Sequence, residues 1–117
     1  MGEGYAEDRA TFPSEYLDEI MNLVLDLHVP CQVTASEVRY ADGKIAHKQQ
    51  YRGTRFVTRW EPCARLEIVV SDKEAESVLG LVVSRLDEKR ADDAAVLVTE
   101  VDDALRVRTG RRGEFAF

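Results

Sequence analysis

Four alternating apolar residues, Ala64, Leu66, Ile68 and Val70, run straight into a stripe of helical period, Ala75, Val78, Leu79, Val82, Val83 and Leu86. A period of two giving way to one of about 3.6 marks a strand feeding a helix, and each must bury its apolar face. The join, Ser71-Asp72-Lys73-Glu74, has the form of a capping box: Ser71 takes an orphan helix N–H while Glu74 reaches back to the cap. The charged stretch Asp87 to Asp93 then ends the helix.

The same order occurs upstream. Arg9 to Phe12 suits a short strand, Ser14 an N-cap, and Leu17, Ile20, Met21, Val24, Leu27 and His28 a helical stripe that Pro30 stops. Cys31 to Tyr40 is β-branched and mixed, as in a strand with two different faces. Downstream, the continuous apolar run Ala94 to Val98 suits a strand buried on both sides, and Leu105 to Thr109 alternates apolar residues with arginine. The predicted order is β-α-β-loop-β-α-β-β. This is the α+β, ferredoxin-like plan (split βαβ, βαββαβ) with a long loop between strands two and three and an extra C-terminal strand. With 117 residues the chain is expected to form a single domain over 1–117.

Composition excludes several classes. No apolar run approaches the roughly 20 residues of a membrane span, and the acidic N-terminus lacks the layout of a signal peptide, so a cytoplasmic address is expected. Two cysteines, Cys31 and Cys63, are too few for a disulfide framework and read as thiols. A net charge of −6 argues against a general nucleic-acid binder. The charge is segregated, however. Residues 1–30 carry seven acids and one base, and residues 39–65 seven bases and two acids. Residues 71–105 then hold ten acids and four bases, and residues 106–117 four arginines and one acid. Such blocks are either solvated faces or two basic segments that meet around an anion.

Residues 41–59 lose the apolar period, turn at Asp42-Gly43, and carry Lys44, His47, Lys48, Arg52, Arg55 and Arg59. Long connections of this kind tend to be functional. Arg106 and Arg108, two apart on a strand, would leave one face about 6 to 7 Å from each other and form a fork for phosphate or carboxylate, or pair with Asp or Glu of the chain itself. No phosphate-cradling glycine loop, nucleophile elbow or metal-ligand series is present; His28, placed on the apolar stripe, reads as a partly buried core residue. No residue presents itself as catalytic, and no enzyme is expected.

Several segments are similar to the PII signal-transduction family. Tyr51-Arg52-Gly53-Thr54-Arg55-Phe56 resembles its T-loop signature, Y-R-G, a small residue, E, Y. Ser36-Glu37-Val38 resembles the T-E-V before that loop, Leu66 to Asp72 the strand after it, Leu105 to Gly110 the C-terminal I-R-I-R-T-G, and Leu17-Asp18 the opening of the first helix. From residue 31 to 110 these pieces keep the family's order and spacing. The resemblance implies a homotrimer with three clefts between neighbours that bind adenine nucleotides, and T-loops that dock on transporters, enzymes or transcription regulators. It places Thr34 and Val69 at the adenine, and Arg106 and Arg108 at the phosphates.

The departures are specific. Phe56 stands where many members carry a modifiable tyrosine, and has no hydroxyl; Thr54 holds the position of a serine phosphorylated in some members; Arg55 reverses the charge of the usual acid. The family's phosphate loop, T-x-x-x-G-D-G-K, is degraded over 87–95, where Glu88-Lys89-Arg90-Ala91-Asp92-Asp93-Ala94-Ala95 keeps only Asp93. Lys44 replaces a glutamine that helps hold Mg-ATP. The expectation is a regulatory trimer that requires no cofactor or metal. It senses an adenine nucleotide such as ADP or AMP, or ATP less tightly, alone or with bicarbonate, or another small anion. It acts on a transporter or enzyme through a T-loop bearing Lys44, His47, Lys48, Tyr51, Arg52, Gly53, Thr54, Arg55 and Phe56. The alternatives are an interaction module that has lost the nucleotide, and a metal-responsive protein using His47 and the cysteines.

Overall fold

A computed structural model describes residues 4–41, 49–51, 55–57, 60–91 and 94–113. The elements run β1 (Tyr5–Pro13), a 3₁₀ turn (Ser14–Tyr16), α1 (Leu17–Leu25), β2 (Cys31–Tyr40), β3 (Gln49–Tyr51), β4 (Arg55–Val57), β5 (Glu61–Ser71), α2 (Asp72–Glu88), β6 (Ala95–Val101), β7 (Leu105–Arg106) and β8 (Arg111–Arg112). The main sheet has the order β2-β5-β1-β6 with every pairing antiparallel. That order is the ferredoxin-like one: β1 and β2 are separated by β5, which pairs with both.

Both helices cover one face. Ala64, Leu66, Ile68 and Val70 of β5 are each no more than 1% exposed, and they meet Ile20 and Val24 of α1 and Val78, Val82 and Leu86 of α2 in one core. Burying each of these larger side chains contributes about 1.5–3 kcal/mol. Across the helices, Arg85 donates to Glu19 at 2.8 Å and Lys89 lies 3.1 Å from the same carboxylate; the two cations hold Glu19 below the usual carboxylate range.

Five local expectations are corrected. β1 is a nine-residue strand at the centre of the sheet, longer than Arg9 to Phe12 at both ends. The first helix opens as a 3₁₀ turn and ends at Leu25; His28 is exposed with φ 55, because a left-handed residue, not burial, closes the helix. Ser71 is indeed the N-cap of α2, yet its side chain makes no capping hydrogen bond; the following N–H, of Asp72, donates to Gly4 O at 3.0 Å. β6 is an edge strand, not one buried on both sides: Leu97 is 58% and Val98 51% exposed. An apolar run signals burial without saying whose chain supplies the cover.

The fifth correction concerns the C-terminus. The alternation from Leu105 to Thr109 does not continue as a strand. The two-residue strands β7 and β8 pair in a sheet of their own around the turn 107–110, closed by Gly110 at φ 70, whose N–H donates to Arg106 O at 2.8 Å. Arg106 is therefore on a strand and Arg108 in a turn, so period-two geometry does not make them a fork. The long loop, in turn, has structure of its own: β3 and β4 pair antiparallel, Tyr51 opposite Arg55 and Gln50 opposite Phe56.

Candidate functional site

The register sorts the expected site residues by end. At one end lie Tyr40 opposite Glu61, the start of the β3–β4 hairpin connection, and the segment between α2 and β6. At the other lie Tyr5 opposite both Ser71 and Val101, from which the C-terminal hairpin departs. Ten residues of β5 separate Glu61 from Ser71, or about 33 Å at roughly 3.3 Å per residue.

At the loop end two hollows adjoin. One, of 560 Å³, lies at the foot of β2 and β5 between Glu37, Arg39, Trp60, Glu61 and Cys63. The other, of 210 Å³, brings Tyr40 and Glu61 against Arg90 and Ala91 at the end of α2. The loop base and the 87–95 segment thus share one wall. Arg90 takes φ 56, a left-handed conformation that glycine would adopt without strain.

Thr34 and Val69 are brought together. Gln32 pairs with Val69 and Thr34 with Glu67, so both side chains leave the sheet face not covered by helices, as diagonal neighbours on adjacent strands. This face is polar: Arg9 binds Glu7 at 2.9 Å and lies 4.0 Å from Glu67, which is 3.7 Å from Arg65. Arg106 and Arg108 are not brought to that pair. Their hairpin leaves β6, at the sheet edge opposite β2, three strand spacings or about 14 Å across. Both are exposed. In the same hairpin Arg112 pairs with Asp103, and this lowers the Asp103 carboxyl. Lys44, His47, Lys48, Arg52, Gly53, Thr54 and Asp93 lie outside the described residues; Tyr51, Arg55 and Phe56 are placed on β3 and β4.

Among the described residues no group of three His, Cys, Asp or Glu side chains is placed to hold a metal. Neither Cys31 nor Cys63 is in a disulfide. Cys31 opposes Val70, seven residues along β5 from Cys63, about 23 Å away, so they share no site. Burial pushes the Cys31 thiol upward. No described helix is long and apolar enough to cross a membrane.

Asp8 went unnoticed in the sequence. It sits on the helix-covered face between Ile68 and Val98, 3% exposed, with neither carboxylate oxygen hydrogen-bonded, and burial, then the nearby Glu76 charge, pushes it up to about 6. The signal was its place two residues from Ala6 and Ala10, positions that a strand turns to one face.

No family model matches the chain. Among curated proteins it is similar to nitrogen regulatory protein P-II of Rhizobium meliloti (strain 1021), 27% identical over 97 residues that cover 83% of this chain and 86% of that one. The same-named protein of Cereibacter sphaeroides is 29% identical over 84 residues, 72% and 75% of the two chains. Of solved structures, Arabidopsis thaliana PII bound to citrate superposes with a TM-score of 0.70 at 26% identity, covering 98% of this chain and 94% of that one. These similarities support a PII-family member. The B. subtilis GlnK–ATP complex shares the fold, with a TM-score of 0.69 at 21% identity over 97% and 98% of the two chains.

PII proteins are regulators, and this chain is accordingly a signal-transduction protein and not an enzyme. As a PII chain it has the expected skeleton, with the loop hairpin, the end of α2 and the open sheet face in place. It differs from the family signatures given above: Phe56 carries no hydroxyl, and residues 88–95 contain no glycine.

Proposed function

We propose that this chain, as one domain over 1–117, is a PII-type sensor that assembles as a homotrimer and holds a small anion in a cleft between neighbours. The ligand class is an adenine nucleotide with few phosphates, alone or with bicarbonate. Thr34 and Val69 contribute the wall for the base, Arg106 and Arg108 the cations, and Asp93 is the residue kept from the family's phosphate loop. The observation that carries this reading is the separation just described: the Thr34–Val69 pair and the arginine hairpin lie at opposite edges of one sheet, so a site using both is completed by a second copy. That the two solved relatives hold ATP and citrate, both anions, supports the charge of the ligand.

Signalling follows from differential binding. A ligand resets the 41–59 loop only as far as it prefers one loop state over another. The hollow between Tyr40, Glu61, Arg90 and Ala91 brings the end of β2, where the 41–59 loop begins, against the end of α2, a route by which the 87–95 segment can bear on the loop. Residues Lys44, His47, Lys48, Tyr51, Arg52, Gly53, Thr54, Arg55 and Phe56 then meet a transporter or enzyme in the cytoplasm. The basic charge of this segment favours an acidic partner surface.

Thermal melting with ATP, ADP, AMP, cyclic AMP and citrate, each with and without bicarbonate, tests the ligand. A binder of the native state raises the midpoint with concentration. A concentration-dependent rise with ADP or AMP that exceeds the ATP response is expected. A flat response throughout the panel leaves a second reading, an interaction module without ligand, for which the Arg112–Asp103 pair is the specific observation, since there an arginine of the hairpin is already neutralised within the chain.

A further inference from the structure

The larger hollow at the loop end lies apart from the face proposed for the nucleotide. Its 560 Å³ open between Ser14, which begins the turn into α1, and the feet of β2 and β5, where Glu37, Arg39, Trp60, Glu61 and Pro62 line it. Glu37 pairs with Ala64 and Arg39 with Pro62, in phase with the core residues Leu66 and Ile68, so the register sets Glu37 and Arg39 on the helix side of the sheet. Thr34, paired with Glu67, leaves the other side. A hollow of this volume is within the range that holds a small organic molecule.

Its walls carry three charges and one large aromatic ring. The Arg39 guanidinium is a bidentate donor for a carboxylate. Glu37, two residues along the same strand, stands about 6 to 7 Å away on the same face, and Glu61 sits opposite Tyr40 on β5. Among the described residues no ion pair joins Arg39 to either acid. Trp60, the chain's single tryptophan, is 57% exposed and offers a ring face to a cation or an apolar stem. One guanidinium against two carboxylates leaves the hollow negative. A phosphate or a dicarboxylate would face two repulsions there, a bare metal ion would face the guanidinium, and a neutral zwitterion would leave one carboxylate over. We propose that this hollow is a second ligand site, for a basic α-amino acid: Arg39 holds its carboxylate, Glu37 its α-ammonium, and Trp60 with Glu61 the cationic end of its side chain. The 41–59 loop leaves after Tyr40 and returns at Trp60, so a ligand spanning Arg39 and Trp60 lies between the two ends of the loop and biases its state. The site is built by one copy and stands whether or not a nucleotide binds elsewhere.

Trp60 is its own reporter, since no other residue gives tryptophan emission. Titration of the full chain with L-lysine or L-arginine is expected to change that emission saturably, with the same Kd by calorimetry. Cadaverine, which lacks the carboxylate, and L-norleucine, which lacks the second cation, are expected to bind about tenfold or more weakly, each having lost one charge-assisted contact. Arg39→Gln is expected to abolish the advantage of lysine over cadaverine, and Glu61→Gln to narrow that of lysine over norleucine. By calorimetry Trp60→Ala weakens lysine binding, while Trp60→Phe, which keeps an aromatic face, retains most of it. Arg39, Trp60 and Glu61 are all exposed, so these changes spare the core, and circular dichroism checks the fold. Neither a saturable response nor heat with either amino acid up to about 10 mM, or equal affinity for lysine, cadaverine and norleucine, overturns the proposal. Unchanged discrimination between lysine and cadaverine in a folded Arg39→Gln chain overturns it as well.

Discussion

Asp8 shows what one side chain imposes on this fold. Its carboxyl occupies a position between Ile68 and Val98 where the register calls for an apolar residue, and neither oxygen is hydrogen-bonded. Burial favours the neutral acid and raises its titration from the ordinary 3.8 to about 6. The folded state therefore binds this proton more tightly than the unfolded chain does. The stabilisation is full below pH 3.8 and is lost as pH rises through about 6. Asp8→Asn removes the titration. Relative to the wild type it is expected to gain on the order of 2 kcal/mol between pH 4 and pH 7.5. Urea unfolding at the two pH values measures this, and an equal difference at both contradicts the buried, unpartnered carboxyl. At the same scale, Cys31 and Cys63 are expected to remain separate thiols: under mild oxidation no intramolecular disulfide forms, as counted by thiol titration of the denatured chain, because about 23 Å of strand lies between them.

Elements differ in how openly their residues announce them. β5 and α2 were legible because Ala64 to Val70 and Ala75 to Leu86 keep clean periods of two and about 3.6 and face each other in the core. Leu66→Ala is expected to cost about 2–5 kcal/mol by denaturant unfolding, while Glu19→Ala, on the partly exposed α1–α2 ion pairs, is expected to cost much less. β1 was largely illegible. Its core side carries Ala6, Asp8, Ala10 and Phe12, two small residues and an acid among them. It holds the centre because β5 and β6 pair with it on either side, a tertiary effect that no local propensity encodes. The C-terminal arginines read as a strand for the converse reason. Leu105 to Thr109 alternates well, but Gly110 at positive φ and the Thr109 hydroxyl, which accepts from the Arg111 N–H at 3.2 Å, turn the chain instead.

For the whole molecule, the plan of the candidate site was legible only through motif resemblance. Spacing put a basic loop, an acidic segment and an arginine-rich end in order; it did not reveal that the first two adjoin at one end of the sheet and the third lies at the other. In the proposed assembly the exposed Leu97, Val98, Leu105 and Val107 are surface for a neighbour to cover. Under the proposed assembly the arrangement also divides the work of ligand recognition between two copies. Titration calorimetry of ADP and AMP into the wild type and into a chain carrying Arg106→Glu and Arg108→Glu tests this most directly. The predicted result is saturable binding by the wild type, with one site per chain, and a loss of about tenfold or more in affinity in the reversed chain. Equal affinity in both chains, or no heat of binding in either, contradicts it.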